Sequence, residues 1–313
     1  MKLSIVTTLY RSAPDLAEFH RRAMQAAEAI APDVELVMVN DGSPDDSLEM
    51  ALGLQRADPR IVVVDLARNF GHHRAMMTGL SHATGDLVFL IDSDLEEAPE
   101  LLGAFHARLA DGGWDVVYGV QRARRGGLFE RLTGEAFFRL TEALSDQPLP
   151  RNVVTARLMR SPYVRALVAH RDRTFVISHL WSITGFHQTA MEIEKLALSP
   201  TTYSVKNRIE MAVMHVTTTS TRLLFGLFYV GLGISVFAAL MVAYFLGRYL
   251  THGIGVDGWT SLFLSVWFFG GLIVQALGIM ALYLANIYQE VKRRPYTHLR
   301  ALHRVTAGEK GAP

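Results

Sequence analysis

Four carboxylates arrive within six residues at Asp92-Ser93-Asp94-Leu95-Glu96-Glu97. Two acids as close as Asp92 and Asp94 repel each other unless a cation sits between them. Hard divalent ions take oxygen ligands, and Mg²⁺ is typically held by one or two carboxylates together with substrate phosphates. The pair therefore reads as a metal–diphosphate site, with Mg²⁺ or Mn²⁺ on Asp92 and Asp94. The plainer alternative is an acidic loop capping the next helix, with Pro99 near its first turn and Glu100 favouring the dipole. Upstream, Asp41 in Asn40-Asp41-Gly42-Ser43 offers an acceptor for a base or ribose, or else begins a capping sequence through Ser43-Pro44-Asp45-Asp46. Arg68-Asn69-Phe70-Gly71-His72-His73-Arg74 supplies cations and a flexible glycine beside the diphosphate. His72 and His73 are adjacent, so on a helix they diverge and cannot chelate one ion as an i,i+4 pair could.

Such residues need a rigid edge to stand on. Residues 87–91 form an unbroken apolar run, the pattern of a central strand buried on both faces. The Asp-x-Asp then falls where that strand emerges, and parallel α/β sheets bind ligands outside the carboxyl ends of their strands. Similar runs at 3–9, 34–40, 61–66 and 116–120 alternate with helical segments such as 14–30, where Leu16, Phe19, Ala23, Ala26 and Ile30 make one stripe. The alternation predicts an α/β domain with a mostly parallel sheet and helices on both faces. No G-x-G-x-x-G follows the first strand and no G-x-x-x-x-G-K-[ST] occurs, which disfavours a dinucleotide fold or a P-loop.

Half of the 313 residues are hydrophobic, and the formal charge of +1 gives no support for a nucleic-acid partner. Without cysteine there is no disulfide, thiol nucleophile or Cys-bound zinc. The first residues read as a strand, not a signal peptide. Residues 223–246 and 259–287 carry no formal charge, and each run exceeds the ~20 residues that span a ~30 Å hydrocarbon core. The linker 247–258, holding Arg248 and Asp257, suits a hairpin turn. Arg222 before the first span and Lys292, Arg293 and Arg294 after the second place both ends, and residues 1–220, in the cytoplasm at the inner or plasma membrane. Gly226, Gly231, Gly233, Gly270, Gly271 and Gly278 allow close helix contact within the hairpin or between subunits of a homo-oligomer. Residues 126–145 have the apolar face and arginines of an interfacial helix, with a sheet-packed helix as the alternative. A second amphipathic stretch at 205–222 leads into the membrane, and 291–313 form a basic cytosolic tail. Residues 181–186 fit core packing as well as anything else and receive no catalytic role.

Taken in order, Val39-Asn40-Asp41-Gly42-Ser43, Ala67-Arg68-Asn69-Phe70-Gly71, Gly85-Asp86, Asp92-Ser93-Asp94-Leu95, Val117-Tyr118-Gly119-Val120, Phe137-Phe138-Arg139-Leu140, Arg151-Asn152, Arg157-Leu158-Met159 and residues 181–186 resemble the inverting glycosyltransferases of the GT-A fold. Within these the chain most resembles the polyprenyl-phosphate glycosyltransferases, which include dolichol-phosphate mannose synthase. The resemblance covers roughly residues 1–300. It implies a GT-A nucleotide-diphospho-sugar transferase domain over 1–204, a juxtamembrane helix at 205–222 and a two-span hairpin over 223–290. It further implies a UDP- or GDP-linked sugar as donor, a Mg²⁺ or Mn²⁺ ion, an undecaprenyl-type polyprenyl phosphate as acceptor, and a product feeding cell-envelope glycan or lipid modification. Donor contacts would fall on Thr8, Leu9, Tyr10, Asp41, Arg68, Asn69, Gly71, Asp92 and Ser93. Asp94 and Arg124 would be catalytic, and Arg124, Arg131 and Arg157 would face the acceptor phosphate.

The chain departs from the family's pattern in four places. Thr8-Leu9-Tyr10-Arg11-Ser12 stands where the family commonly has Pro-x-Tyr-Asn-Glu, and Leu95-Glu96 where it has Leu-Gln. Gln121 replaces a family arginine, although Arg124 keeps the next basic position. Thr155 stands where an acidic residue often precedes Arg-Leu-Met by two, so a general base is missing there. A phosphate acceptor, with a second pKa of about 6, needs positioning and charge compensation more than deprotonation. Two other readings are a non-catalytic membrane scaffold retaining a nucleotide-sugar pocket and a polysaccharide synthase. The latter is disfavoured by the lack of Gln-x-x-Arg-Trp and by having only two spans.

Overall fold

The computed structural model describes residues 1–121, 152–170, 172–173, 175–195, 222–252 and 259–305. The chain divides into two units, one of Met1–Gly126, Leu149–Thr202 and Arg294–Pro313, the other of Gly127–Pro148 and Tyr203–Arg293.

The first unit is built on an eight-stranded sheet. Its strands are β1 (Lys2–Leu9), β2 (Asp33–Asn40), β3 (Ile61–Leu66), β4 (Leu87–Leu90), β5 (Val116–Gln121), β6 (Val153–Arg160), β7 (Gln188–Ile193) and β8 (Leu299–His303), in the order β7-β5-β6-β4-β1-β2-β3-β8. The sheet is mixed. β1 runs parallel to β2 and β4, β2 to β3 and β5 to β7, whereas β6 is antiparallel to both β4 and β5 and β8 is antiparallel to β3. The five strands expected from apolar runs form within a residue or so of those runs, because each is buried on both faces.

Alternation along the strands divides the core. Leu87, Phe89 and Ile91 join Leu16 and Phe19 of α1 (Ala13–Glu28), Ala51 of α2 (Ser47–Ala57) and Leu102 and Phe105 of α4 (Leu101–Asp111) on one face. Val88 and Leu90 join Met76 and Leu80 of α3 (His72–His82), Tyr163 and Leu167 of α5 (Ser161–Val168) and Leu180 and Trp181 of α6 (Ile177–Ile183) on the other. Placing Asp92 one residue past Ile91 turns it to the α3 side. The register Leu90↔Arg157 then sets Thr155 and Arg157 of β6 alongside it on that same face.

The second unit contains α7 (Arg222–His252) and α8 (Trp259–Val291). Among the described residues, Phe268–Val291 is long and apolar enough to cross a membrane, with mean hydropathy 2.0. The interfacial stretches at 126–145 and 205–222 lie outside the described residues, apart from Arg222. Past this unit the chain re-enters the first one: the Ala67 N–H donates to the His298 carbonyl and β8 closes the β3 edge.

Candidate functional site

Three loops meet at the carboxyl edge of β1, β2 and β4. The turn after β2 is fixed by Asp41, which is buried, and whose two oxygens accept the N–H groups of Phe70 (2.7 Å) and Gly71 (3.0 Å). Gly42, at φ +60°, lies against the Arg68–Asn69 backbone so closely that a Cβ would collide with it. Asp41 thereby shapes the Arg68–Gly71 loop as well as standing at the edge. Burial raises the Asp41 pKa, and the Phe70 and Gly71 N–H bonds oppose that shift without cancelling it. Arg68 is exposed, stacks on the Phe70 ring and donates to the Asn69 carbonyl, so its charge faces outward. Gly71, at φ +99°, starts α3.

The β1 loop is tied to the Asp-x-Asp. Ser93 is buried and its hydroxyl donates to the Thr8 carbonyl (3.1 Å) and meets the Ser12 hydroxyl (2.9 Å). Leu9 is fully buried in the α1 core, leaving only its backbone at the edge, where its carbonyl accepts Asp41 N–H. Tyr10 is exposed and free to stack on a ligand. Of the residues predicted to touch a donor, Leu9 and Ser93 thus hold the loops in place, while Tyr10, Arg68 and Asn69 are exposed, as is Asp94, predicted as catalytic and as a metal ligand.

His72 enters here although helical spacing alone gave it no part. Its Nε2 lies 3.3 Å from Asp92 Oδ1 and its Nδ1 3.0 Å from the Thr8 hydroxyl, making a chain of contacts from β1 to β4 through the first turn of α3. Burial works against the Asp92 charge, but hydrogen bonds from His72 and Thr155 hold its pKa down. Burial likewise disfavours charged His72, and Asp92, Asp41 and Asp94 outweigh it, raising its pKa. Next door, burial and charged His72 push His73 down to about 4.

The other acids crowd the same place. Asp94 accepts the Glu96 N–H (3.0 Å), and burial, together with the charges of Asp92 and Glu96, raises its pKa. Glu97, 1% exposed, accepts the Thr155 (3.2 Å) and Ala156 (2.7 Å) N–H groups, and burial followed by Asp92 lifts its pKa to about 7. Lys195, a residue with no motif to announce it, reaches Glu96 (2.9 Å) and Glu97 (3.8 Å). Lys195 and His72 are the cationic groups paired with these four carboxylates among the described residues. Among the described residues no three metal-ligating side chains converge. The donor set is two carboxylates, Asp92 and Asp94, which fits a hard ion completed by phosphate oxygens and water.

One strand away the imbalance reverses. Arg157 is 1% exposed, and its guanidinium donates to the carbonyls of Thr155 (3.2 Å) and Val154 (3.3 Å) and stacks on the Trp181 ring. No carboxylate pairs with it among the described residues. Burial lowers its pKa to about 9. It lines a cavity of about 250 Å³ together with Tyr118, Ser178, Trp181 and Gln188. Arg124 and Arg131 lie outside the described residues.

A family model described as glycosyl transferase family 2 matches residues 4–168. A protein of Mycobacterium tuberculosis named putative glycosyltransferases is 44% identical over 97% of this chain and 89% of its own length. The undecaprenyl-phosphate 4-deoxy-4-formamido-L-arabinose transferase of an Enterobacter species is 31% identical, covering 94% of this chain and 91% of that one. The SfII prophage-derived bactoprenol glucosyl transferase of Shigella flexneri is 29% identical over 97% and 99%.

Proposed function

This chain belongs to glycosyl transferase family 2, and from that premise we propose that it moves one sugar from a nucleotide-diphosphate sugar to a polyprenyl phosphate at the cytosolic membrane face. The observation that carries this reading is the carboxylate edge of β4, set beside the loop that Asp41 organises. Asp92 and Asp94 would hold Mg²⁺ or Mn²⁺, which when bound supplies Lewis-acid stabilisation to the leaving diphosphate. The chain's own groups do the rest. Tyr10 and Arg68 would face the donor, the Asp41 carboxylate keeps the Arg68–Gly71 loop in register, and His72 fixes the orientation of Asp92. Arg124 and Arg131, by their sequence positions, and Arg157 would compensate the charge of the acceptor phosphate. Relatives named for bactoprenol and undecaprenyl phosphate support the acceptor class.

Connectivity supports a two-span anchor. The chain leaves the sheet-bearing unit after Thr202 and rejoins it at Arg294, where β8 completes the β3 edge. With both ends of the intervening segment on one side of a bilayer, crossings would come in even number. With Phe268–Val291 able to span, α7 would supply the return crossing. The flanking Arg222, Lys292, Arg293 and Arg294 assign that side to the cytoplasm.

The test is transfer of labelled sugar from UDP- and GDP-sugars to membranes containing polyprenyl phosphate, with and without EDTA. Label is expected in a chloroform-extractable, mild-acid-labile product, and only when a divalent ion is present. Label confined to the aqueous phase would overturn the acceptor, and EDTA-insensitive transfer the metal.

A further inference from the structure

The last strand of the sheet is tied to the Asp41 end of the site by more than ladder pairing. β8 runs antiparallel to β3, with Leu66 opposite Leu299 and Asp65 opposite Ala301. Arg300 falls between those two pairs without a counterpart, so the ladder is bulged there. Bulges recur beside functional sites, where they re-aim a side chain. This one gives the Arg300 guanidinium two partners at the carboxyl end of β3. Its Nη2 donates to the Ala67 carbonyl (2.7 Å), and its Nη1 lies 3.6 Å from Asp65 Oδ2. The Ala67 N–H donates in turn to the His298 carbonyl (2.9 Å). Both backbone polar groups of Ala67 are therefore held by the returning chain.

Two loops hang on these ties. Ala67 opens the Arg68–Gly71 loop, and the Phe70 ring within it lies 6.0 Å from the His298 ring while carrying the Arg68 guanidinium at 4.3 Å. Asp41 holds this loop from the sheet side, and the returning chain holds it from the β3 edge. The second loop is reached through Asp65. That carboxylate is buried, and besides Arg300 it accepts a hydrogen bond from Asn40 Nδ2 (2.7 Å), while Asn40 Oδ1 accepts the Ser43 N–H (3.2 Å). Contacts thus run from Arg300 through Asp65 and Asn40 to the turn that carries Asp41.

The other end of β8 provides a contrast. His303 pairs with Val63 near the start of β3, and Arg304 donates to the His82 carbonyl at the far end of α3 (3.1 Å). Both arginines tie the same strand, yet Arg300 alone of the two reaches the edge where the loops meet. An exposed ion pair adds little stability, and the Arg300 side chain is 60% exposed. What its fork adds is orientation.

We propose that β8 is a brace for donor binding, with Arg300 as a positioning residue that holds the Arg68–Gly71 loop and the Asn40–Ser43 turn, through Ala67 and Asp65, in the arrangement that receives a nucleoside diphosphate. The identity of that ligand rests on the transfer reading above; the bracing of the two loops does not. Because β8 follows both apolar helices in the chain, the loops are braced only once the chain beyond those helices has returned to the sheet.

The experiment compares the full chain in detergent with Arg300→Ala, Arg300→Lys and Arg304→Ala. Amide hydrogen exchange is followed over residues 40–43 and 67–71, and binding of UDP and GDP by calorimetry. Both loops should exchange faster in Arg300→Ala and at the wild-type rate in Arg304→Ala. Arg300→Ala should raise donor KM roughly tenfold, the size of effect exerted through a contact network, with kcat and acceptor KM within about twofold. Arg300→Lys keeps a donor for one of the two partners and should recover part of that loss. Arg304→Ala should leave donor KM within about twofold, even where it lowers the melting temperature as much as Arg300→Ala does. Unchanged exchange over both loops in Arg300→Ala would overturn the brace, as would equal losses of donor affinity in Arg300→Ala and Arg304→Ala. If the loops loosen in Arg300→Ala but the wild type binds neither nucleotide, the brace stands and the transfer reading fails. If the wild type transfers sugar to lipid while Arg300→Ala keeps its exchange and its donor KM, the transfer reading stands and the brace fails.

Discussion

The ends of β4 and β6 carry opposite electrostatic errors. Past β4, Asp92, Asp94, Glu96 and Glu97 crowd together, Lys195 reaches Glu96 and Glu97, and burial followed by the charge of Asp92 raises the pKa values of Asp94 and Glu97. On β6, Arg157 lies buried with no carboxylate in ion-pair contact among the described residues, and burial lowers its pKa, with the Glu97 charge opposing that shift. These two could neutralise each other, since their strands are neighbours, yet the fold keeps them apart. Arg157 faces Trp181, and Glu97 faces the Thr155 and Ala156 amides. A fold optimised for stability alone would pair them. Keeping them apart sets an acid-rich edge beside a buried cation, which suits the electrostatic demand of the proposed transfer of a sugar between two phosphates.

Asp94→Asn should break the acidic side most severely. It removes a ligand charge and no core volume, so turnover with Mg²⁺ or Mn²⁺ should fall about 10³-fold, about 4 kcal/mol of barrier, while the melting temperature holds. Retained activity at saturating metal would return the Asp-x-Asp to a capping loop.

Glu97 tests the charge imbalance through stability. Its folded pKa of about 7 lies above the ordinary 4.5, so the folded state holds the proton more tightly than the unfolded one. The associated stability is full below pH 4.5 and is lost as pH rises through about 7, about 3 kcal/mol in all. Melting of the metal-free wild type should therefore decline over that window relative to Glu97→Gln, which has no proton to lose. Parallel melting curves for the two proteins from pH 4.5 to 8 would show that Glu97 is not perturbed.

A smaller effect is expected from His72→Ala. Groups that orient a metal ligand typically cost 10–100-fold when removed, and the loss should appear with a higher metal requirement. Unchanged metal dependence would reduce the Thr8–His72–Asp92 chain to packing.

What the sequence disclosed follows from what burial imposes on it. Strands β1 to β5 are legible because they are largely buried and apolar residues dominate them. β7, half exposed, and β8, a basic five-residue edge strand, carry no comparable run and form because β5 and β3 offer them open edges. The sheet is accordingly more mixed than the early strands suggest. The Asp-x-Asp was visible as spacing, and Asp41 as a residue at the edge. The roles of His72 and Lys195 were not, because their partners are far away in sequence: Asp92 is twenty residues from His72, and Glu96 lies nearly a hundred residues before Lys195. Helical spacing correctly separates His72 from His73 but says nothing about a strand that ends beside one of them.

The seam between the two regions is Thr155. Its N–H donates to Glu97 on the acidic side, its carbonyl accepts from Arg157 on the basic side, and its hydroxyl hydrogen-bonds Asp92. Two of those three links are backbone and survive any side-chain change. Thr155→Ala therefore removes only one of the bonds that hold Asp92, and His72 remains. The loss should stay below tenfold, about 1.4 kcal/mol of barrier. A general base at this position would instead cost 10²–10⁴-fold when removed. Thr155→Asp sharpens the question, because it would set a further carboxylate against an edge already crowded with carboxylates. It should slow turnover more than Thr155→Ala, with partial recovery at high metal. A Thr155→Asp enzyme faster than wild type would mean that the reaction lacks a base, and that the anionic acceptor does not suffice as its own nucleophile.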